Sequence, residues 1–264
     1  AASDVYKRQS MGPAVGTISG MASWLSLGFK SAFALIGMSA YVALITDIPI
    51  TVIAIILCLF FVILNIIGIK EAGIVQRFLV FGLVGILLFY ISYGFPSIEV
   101  TRFVPFIPYG ARSIFATAGF VFISYGGLTK IASVAEEIKN PGRNIPLGMI
   151  LSIIFAGVLY ALVVFVTTGV LEAEELHHSL TPISDGAHTF AGGFGGIIMA
   201  LAAILAFTST ANAGIISASR YPIAMSRDRA VPDFFNRLNP RFKTPPNSII
   251  FTGLFMVLAI AFLR

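Results

Sequence analysis

Of the 264 residues 57% are hydrophobic and 11% charged, and mean hydropathy is +0.94; that leaves too little charged surface for a water-soluble globule and makes lipid the natural solvent. At roughly 20 apolar residues per span plus short loops, the length accommodates about seven membrane helices in one continuous domain. The net charge of +5 lies beside the apolar runs instead of along one stripe, which argues against a nucleic-acid partner and for a positive-inside topology.

Ala1–Gln9 is short and polar, with no apolar core of a signal peptide. The string AASDVYKRQ resembles translated adapter sequence, so residues 1–10 are set aside as a non-native or disordered lead-in. Residues 11–264 are expected to form a single, incomplete transmembrane domain, truncated at both ends. Apolar runs then follow at about Thr17–Leu44, Pro49–Ile69, Val75–Phe95, Ser113–Ile138, Pro146–Leu171, Phe194–Met225 and Ile249–Leu263. Backbone polar groups in lipid must pair internally, so each run is expected to be a helix. Pro49, Pro146 and Pro246 stand where helices should start, since a first-turn amide has no intrahelical partner to lose. Cys58, the only cysteine, sits within an apolar run and is read as packing.

Two runs carry unusual polarity. The fourth contains Ser124, Tyr125, Gly126, Gly127, Thr129 and Lys130 at mid-membrane. A break there is expected between Ser124 and Gly127; such a turn is tolerated at membrane depth only where it lines a cavity, although the glycine pair also permits close helix packing. The sixth holds Thr208-Ser209-Thr210-Ala211-Asn212-Ala213-Gly214. Its hydroxyls and amide can bond neighbouring helices or coordinate a small cation.

Lys and Arg cluster in alternate loops: Lys70 and Arg77, then Lys139 and Arg143, then Arg220, Arg227, Arg229, Arg237, Arg241 and Lys243. The intervening loops carry only Arg102 and Arg112, against Asp47, Glu99, Glu172, Glu174, Glu175 and Asp185. The loops near residues 70–77, 139–145 and 226–245 are therefore expected on the cytoplasmic side of the cell membrane.

Several stretches resemble the amino acid–polyamine–organocation permease family. Phe122-Ile-Ser-Tyr-Gly-Gly followed by Ala135-Glu-Glu-Ile-Lys-Asn-Pro-Gly-Arg-Asn-Ile-Pro146 is similar to that family's sixth helix and the loop after it. Ala211-Asn-Ala-Gly, Arg220-Tyr-Pro-Ile-Ala-Met-Ser-Arg-Asp, Val231-Pro232 and Thr244-Pro245 are similar to its eighth helix and loop. Asn65-Ile-Ile-Gly-Ile-Lys-Glu-Ala-Gly is similar to its fourth-to-fifth connection. The resemblance implies helices three to nine of a twelve-helix, all-α transporter with a LeuT-type inverted repeat. It also implies cytoplasmic loops after helices four, six and eight, the same loops that the charge distribution places inside.

A broken helix at mid-bilayer presents free carbonyls to cations and free amides to anions. Carbonyls near Val121 to Ser124 would hold a substrate ammonium, and the resemblance implies that a Gly-rich break in the absent first helix holds the carboxylate. It further implies an aromatic closing over the substrate, either Phe122 or Tyr125, with Ile123 between them. The expected substrate-binding set is Phe122, Ile123, Ser124, Tyr125, Gly126, Gly127 and Thr129. The expected coupling or ion set is Lys30, Ser209, Thr210 and Asn212. Lys30 and Lys130 are the basic side chains deepest in the apolar runs, at a cost of roughly 2.5–3.5 kcal/mol for a helix centre; Lys130 can snorkel outward, whereas Lys30 lies near the middle of its run. Some permeases of the family place a sodium-substituting lysine in helix five, where Leu83 stands here, so Lys30 is expected to serve as a fixed or titrating ammonium.

Every Asp and Glu falls in a loop or at a span edge, so no intramembrane nucleophile–base or acid pair for an enzyme is present. His177, His178 and His188 match no metal spacing, and no cofactor is expected. Family members that carry polyamines or arginine can place an acid just after the helix-six break, where this chain has Leu128 and Thr129 followed by Lys130. The expected function is secondary transport of a zwitterionic, neutral amino acid by alternating access, driven by a proton, by sodium or by exchange. A non-transporting sensor on the same fold and a cationic amino-acid or polyamine carrier are the alternatives. The expected partners are the lipid bilayer, the amino acid and the coupling ion.

Overall fold

The computed structural model describes residues 13–68, 73–107, 109–125, 138–242 and 244–262. In chain order these form α1 (Pro13–Ala43), α2 (Ile50–Ile67), α3 (Gly73–Gly94), 3-10 turns at Phe95–Ser97 and Val100–Phe103, and α4 (Gly110–Ser124). Then come α5 (Pro141–Val170), a short α6 (Ala173–His178), α7 (Pro182–Arg227), a 3-10 turn at Asp233–Asn236 and α8 (Pro246–Phe262). Among the described residues every regular element is helical, the arrangement that satisfies backbone groups within lipid. Each of the seven apolar runs holds a helix. Five segments, Val15–Ala43, Ile50–Ile67, Phe78–Ser97, Pro141–Val170 and Pro182–Arg227, are long and apolar enough to cross a membrane, and Pro246–Phe262 is a shorter apolar helix.

Three boundaries differ from those read in the sequence. Helix α5 begins at Pro141, and Pro146 lies inside it. Asn140 takes a left-handed conformation (φ 50°, ψ 59°), its carbonyl accepts from the amides of Arg143 and Asn144 at 3.1 and 3.0 Å, and the Asn144 Nδ2 donates back to the Lys139 carbonyl at 2.6 Å. That turn hands the first helical position to Pro141. Pro146 then removes one ladder bond, to Gly142, which is exposed. Pro49 is the N-cap residue of α2, one position before its first turn. Helix α7 begins at Pro182 instead of Phe194 and bends at Gly192, whose φ of 62° and ψ of −160° are non-helical. Asp185 holds its start, accepting from the Ser179 hydroxyl and from Thr181 Oγ1.

The chain forms two compact units, one of the described residues up to Leu83 together with those from Ala200 onward, the other of Val84–Met199. In the first, α1, α2, α8 and the later part of α7 share a core of Leu35, Met38, Cys58, Phe61, Ile215, Met256 and Ile260. Lipid offers little hydrophobic drive between helices, so close backbone approach carries the packing. A Cβ on Gly214 would lie 1.9 Å from the Ser31 Oγ, and one on Gly253 would lie 2.4 Å from Val62. Trp24 of α1 stacks on Phe251 of α8 at 5.0 Å and donates from Nε1 to Thr252 Oγ1 at 3.1 Å. Cys58 is fully buried, with its Sγ 3.8 Å from the Gly253 carbonyl.

In the second unit Tyr90 is fully buried. Its hydroxyl meets Thr167 Oγ1 at 2.8 Å, and that hydroxyl in turn donates to the Val163 carbonyl at 2.8 Å, which pins α3 to α5. Arg102 closes the C-terminal end of α5, donating to the Val170 carbonyl while pairing with Glu99 at 3.1 Å. A guanidinium at a helix C-terminus meets both an orphan carbonyl and the negative end of the helix dipole.

Candidate functional site

Helix α4 stops at Ser124, where the first half of a broken helix is expected to end. The last turn tightens, with the Tyr125 amide donating to the Phe122 carbonyl at 3.1 Å, an i to i−3 bond. A helix end leaves carbonyls of its final turn without intrahelical partners and gathers negative partial charge. Gly126, Gly127 and Thr129 lie outside the described residues, as do the side chains of Ile123 and Ser124. Phe122 is 76% exposed. Tyr125 is half-buried, its ring 5.7 Å from Tyr160 of α5 and its hydroxyl 3.4 Å from the place a Cβ on Gly157 would take. The two candidate gating aromatics thus differ in setting among the described residues: Tyr125 packs on Tyr160 of α5, and Phe122 is largely exposed.

The polar stretch of α7 lies in the other unit. Thr208, Ser209 and Thr210 are half-buried and Asn212 is buried. Thr208 Oγ1 contacts the Met38 Sδ of α1 at 3.7 Å. The Asn212 Oδ1 accepts from the Asn65 Nδ2 of α2 at 2.8 Å, and the same Nδ2 also donates to the Phe61 carbonyl at 2.8 Å. An amide pair between two apolar helices satisfies groups that lipid would leave bare. Asn212 therefore has an interhelical bond here. Lys30 is half-buried in the middle of α1, one residue before the buried Ser31. Asn65, the partner of Asn212, is not among the residues singled out in the sequence for polarity at mid-membrane. The signal for it is a lone amide in an 18-residue helix of mean hydropathy 3.2.

In the segment between α5 and α7, the acids serve local structure. Glu172 and Glu175 form a reciprocal capping box on α6, and the rings of His177 and His178 pack edge to face at 5.0 Å.

The class these features define is that of polytopic helical membrane proteins with a helix end and a polar helix stretch within apolar spans. A family model described as amino acid permease matches residues 4–263, and the chain belongs to that family. The family is one of transporters, not of enzymes. Similar proteins include the methylthioribose transporter of Bacillus subtilis (strain 168), 30% identical over 192 residues, covering 71% of this chain and 40% of that protein. The branched-chain amino acid permease of the same organism is 28% identical over 191 residues, covering 70% and 40% respectively. A vacuolar cationic amino acid transporter of Arabidopsis thaliana is 30% identical over 195 residues, covering 71% and 30%. The chain thus spans well under half the length of these relatives.

Proposed function

We propose that the chain is part of a secondary transporter that carries a zwitterionic, neutral amino acid across the cytoplasmic membrane by alternating access, driven by a proton, by sodium or by exchange. Family membership supports transport, and the end of α4 at Ser124 is the observation that supports the site. Carbonyls of Val121 to Ser124 hold the substrate ammonium, with Gly126, Gly127 and Thr129 completing the turn and either Phe122 or Tyr125 closing over it. Lys30 supplies a fixed or titrating ammonium. Ser209, Thr210 and Asn212 form a polar wall or weak sodium site. The loops near 70–77, 139–145 and 226–245 face the cytoplasm.

The substrate class follows from charge. A dibasic substrate brings a second cation to mid-bilayer, where an unpaired charge is costly. In the sequence every Asp and Glu stands between the apolar runs or at the edge of one, which supports a substrate without a second cation. The relatives named as cationic amino acid transporters favour a second reading, in which parts of the protein beyond this chain supply the acid. Uptake of labelled leucine, arginine and putrescine by the complete protein, each competed with the other two unlabelled, decides between the two. Preference for leucine is expected, preference for arginine or putrescine overturns the neutral reading, and absence of uptake favours a sensor. Lys30→Ala is expected to abolish uptake or flatten its pH dependence; an unchanged profile removes Lys30 from the mechanism.

A further inference from the structure

Between α7 and α8 the chain is held to the rest of the first unit by a set of side-chain bonds. Ser226 Oγ donates to the Pro232 carbonyl at 2.9 Å, Asn247 Nδ2 to the Phe234 carbonyl at 2.8 Å, Ser248 Oγ to the Phe235 carbonyl at 3.0 Å and Thr244 Oγ1 to the Ile66 carbonyl at 2.7 Å. Asn239 Oδ1 accepts from the amides of Arg241 and Phe242 at 2.9 and 3.3 Å. With the backbone held this way, the direction of each side chain is a property of the fold. Phe235 turns inward, half-buried, its ring 5.1 Å from Phe251 of α8. Phe234, Leu238 and Phe242 turn outward and stay 53%, 49% and 36% exposed. Arg237 and Arg241 are exposed beside them, and the Arg241 guanidinium lies 5.3 Å over the Phe242 ring.

Three outward apolar side chains on a loop suit neither water nor a purely polar partner. Arginine and aromatic side chains are also used in protein interfaces, so what favours a lipid over a protein partner is the loop's place beside two apolar helices and the sign of its charge. The same mixture matches the boundary between headgroups and acyl chains, where rings and aliphatic groups sink in and cations meet phosphate. The loop joins α7 to the apolar helix α8 and so lies at that boundary by connectivity. Its charge has the sign that anionic lipid complements: Arg227, Arg229, Arg237 and Arg241 stand against Asp228 and Asp233 within residues 227–242.

We propose that the α7–α8 loop is a membrane-surface site for anionic phospholipid, in which Arg237 and Arg241 bind headgroup phosphate and Phe234, Leu238 and Phe242 insert beside it. The proposal depends on the multi-pass character of the chain and not on its substrate, so it is read without any transport measurement. The complete protein is placed in nanodiscs of phosphatidylcholine alone or mixed with phosphatidylglycerol, and amide hydrogen exchange of residues 233–242 is followed at low and high salt. Phosphatidylglycerol is expected to slow exchange in a salt-sensitive manner, by up to about fivefold for each arginine engaged. R237Q/R241Q is expected to remove the dependence on lipid charge, and F234S/F242S to raise exchange in both lipids. Unchanged exchange of residues 246–262 shows that the variants remain folded. Equal exchange in the two lipids, or protection that survives R237Q/R241Q because another part of the protein covers the loop, overturns the proposal; if a variant loses protection at 246–262, the wild-type comparison between lipids alone decides.

Discussion

Gly214 and Ser31 meet so closely that no side chain fits between α7 and α1 without movement. A Cβ at 214 would lie 1.9 Å from the Ser31 Oγ and 3.1 Å from its Cβ, and that Oγ is already bonded to the Leu27 carbonyl at 2.9 Å. Gly214→Ala is therefore expected to cost about 1–3 kcal/mol through overpacking, seen as a lower Tm in detergent. S31A/G214A should recover most of the loss, because only the 3.1 Å approach then remains; no recovery would place the strain elsewhere. Asn65 and Asn212 make a different kind of contact, in which each amide answers the other's burial. Asn65→Leu strands the Asn212 amide in an apolar core and is expected to destabilise by about 1–3 kcal/mol. In a double-mutant cycle with Asn212→Leu, a coupling on the order of 1 kcal/mol is expected, and strict additivity would deny the bond.

At the scale of the element, the bend in α7 rests on one residue. Gly192 combines a positive φ with ψ near −160°, a region that is costly for any residue with a Cβ, about 1–3 kcal/mol. A Cβ there would touch nothing within 4 Å, so Gly192→Ala isolates backbone strain from clash. Its neighbour Gly193 has the same open space with ordinary φ, and Gly193→Ala should be neutral or gain up to about 1 kcal/mol. Equal Tm changes for the two would mean that the bend does not depend on the Gly192 dihedrals. The end of α4 at Ser124 and the start of α5 at Pro141 have similarly local causes, an i to i−3 bond in one case and the left-handed Asn140 in the other.

Across the whole molecule, charge sets the expected sidedness. Arg143 in the first turn of α5 and Arg241 in the loop before α8 are expected in the cytoplasm, and Glu174 of α6 outside, because short loops rich in Lys and Arg stay on the inner face. A cysteine at 174 should react with an impermeant maleimide in intact cells, and cysteines at 143 and 241 only after permeabilisation. The native thiol of Cys58 is buried and should stay silent. Labelling of all three from one side would remove the topology.

Much of this was legible from the chain alone because lipid permits so few choices. A backbone that must satisfy itself, in runs of about 20 apolar residues, can only be helical, and the seven runs all hold helices. Motif stretches such as Ala135–Pro146 pointed to the permease family, to which the match over residues 4–263 assigns the chain. Helix boundaries were less legible where local hydrogen bonds override the apolar pattern. Pro146 looks like a helix start in sequence, yet the Asn140 turn moves the start to Pro141; residues 182–193 look like a loop, yet α7 begins there at Pro182 with Asp185 in its first turn, and Gly186 packs against Tyr90. Partnerships between distant residues were not legible at all. That Asn65 answers Asn212 across 147 positions, that Tyr125 rests on Tyr160, and that Phe235 turns in while Phe234 turns out depend on which helix faces are brought together. Periodicity places a residue on a face of its own helix; only tertiary packing chooses the neighbour that face will meet.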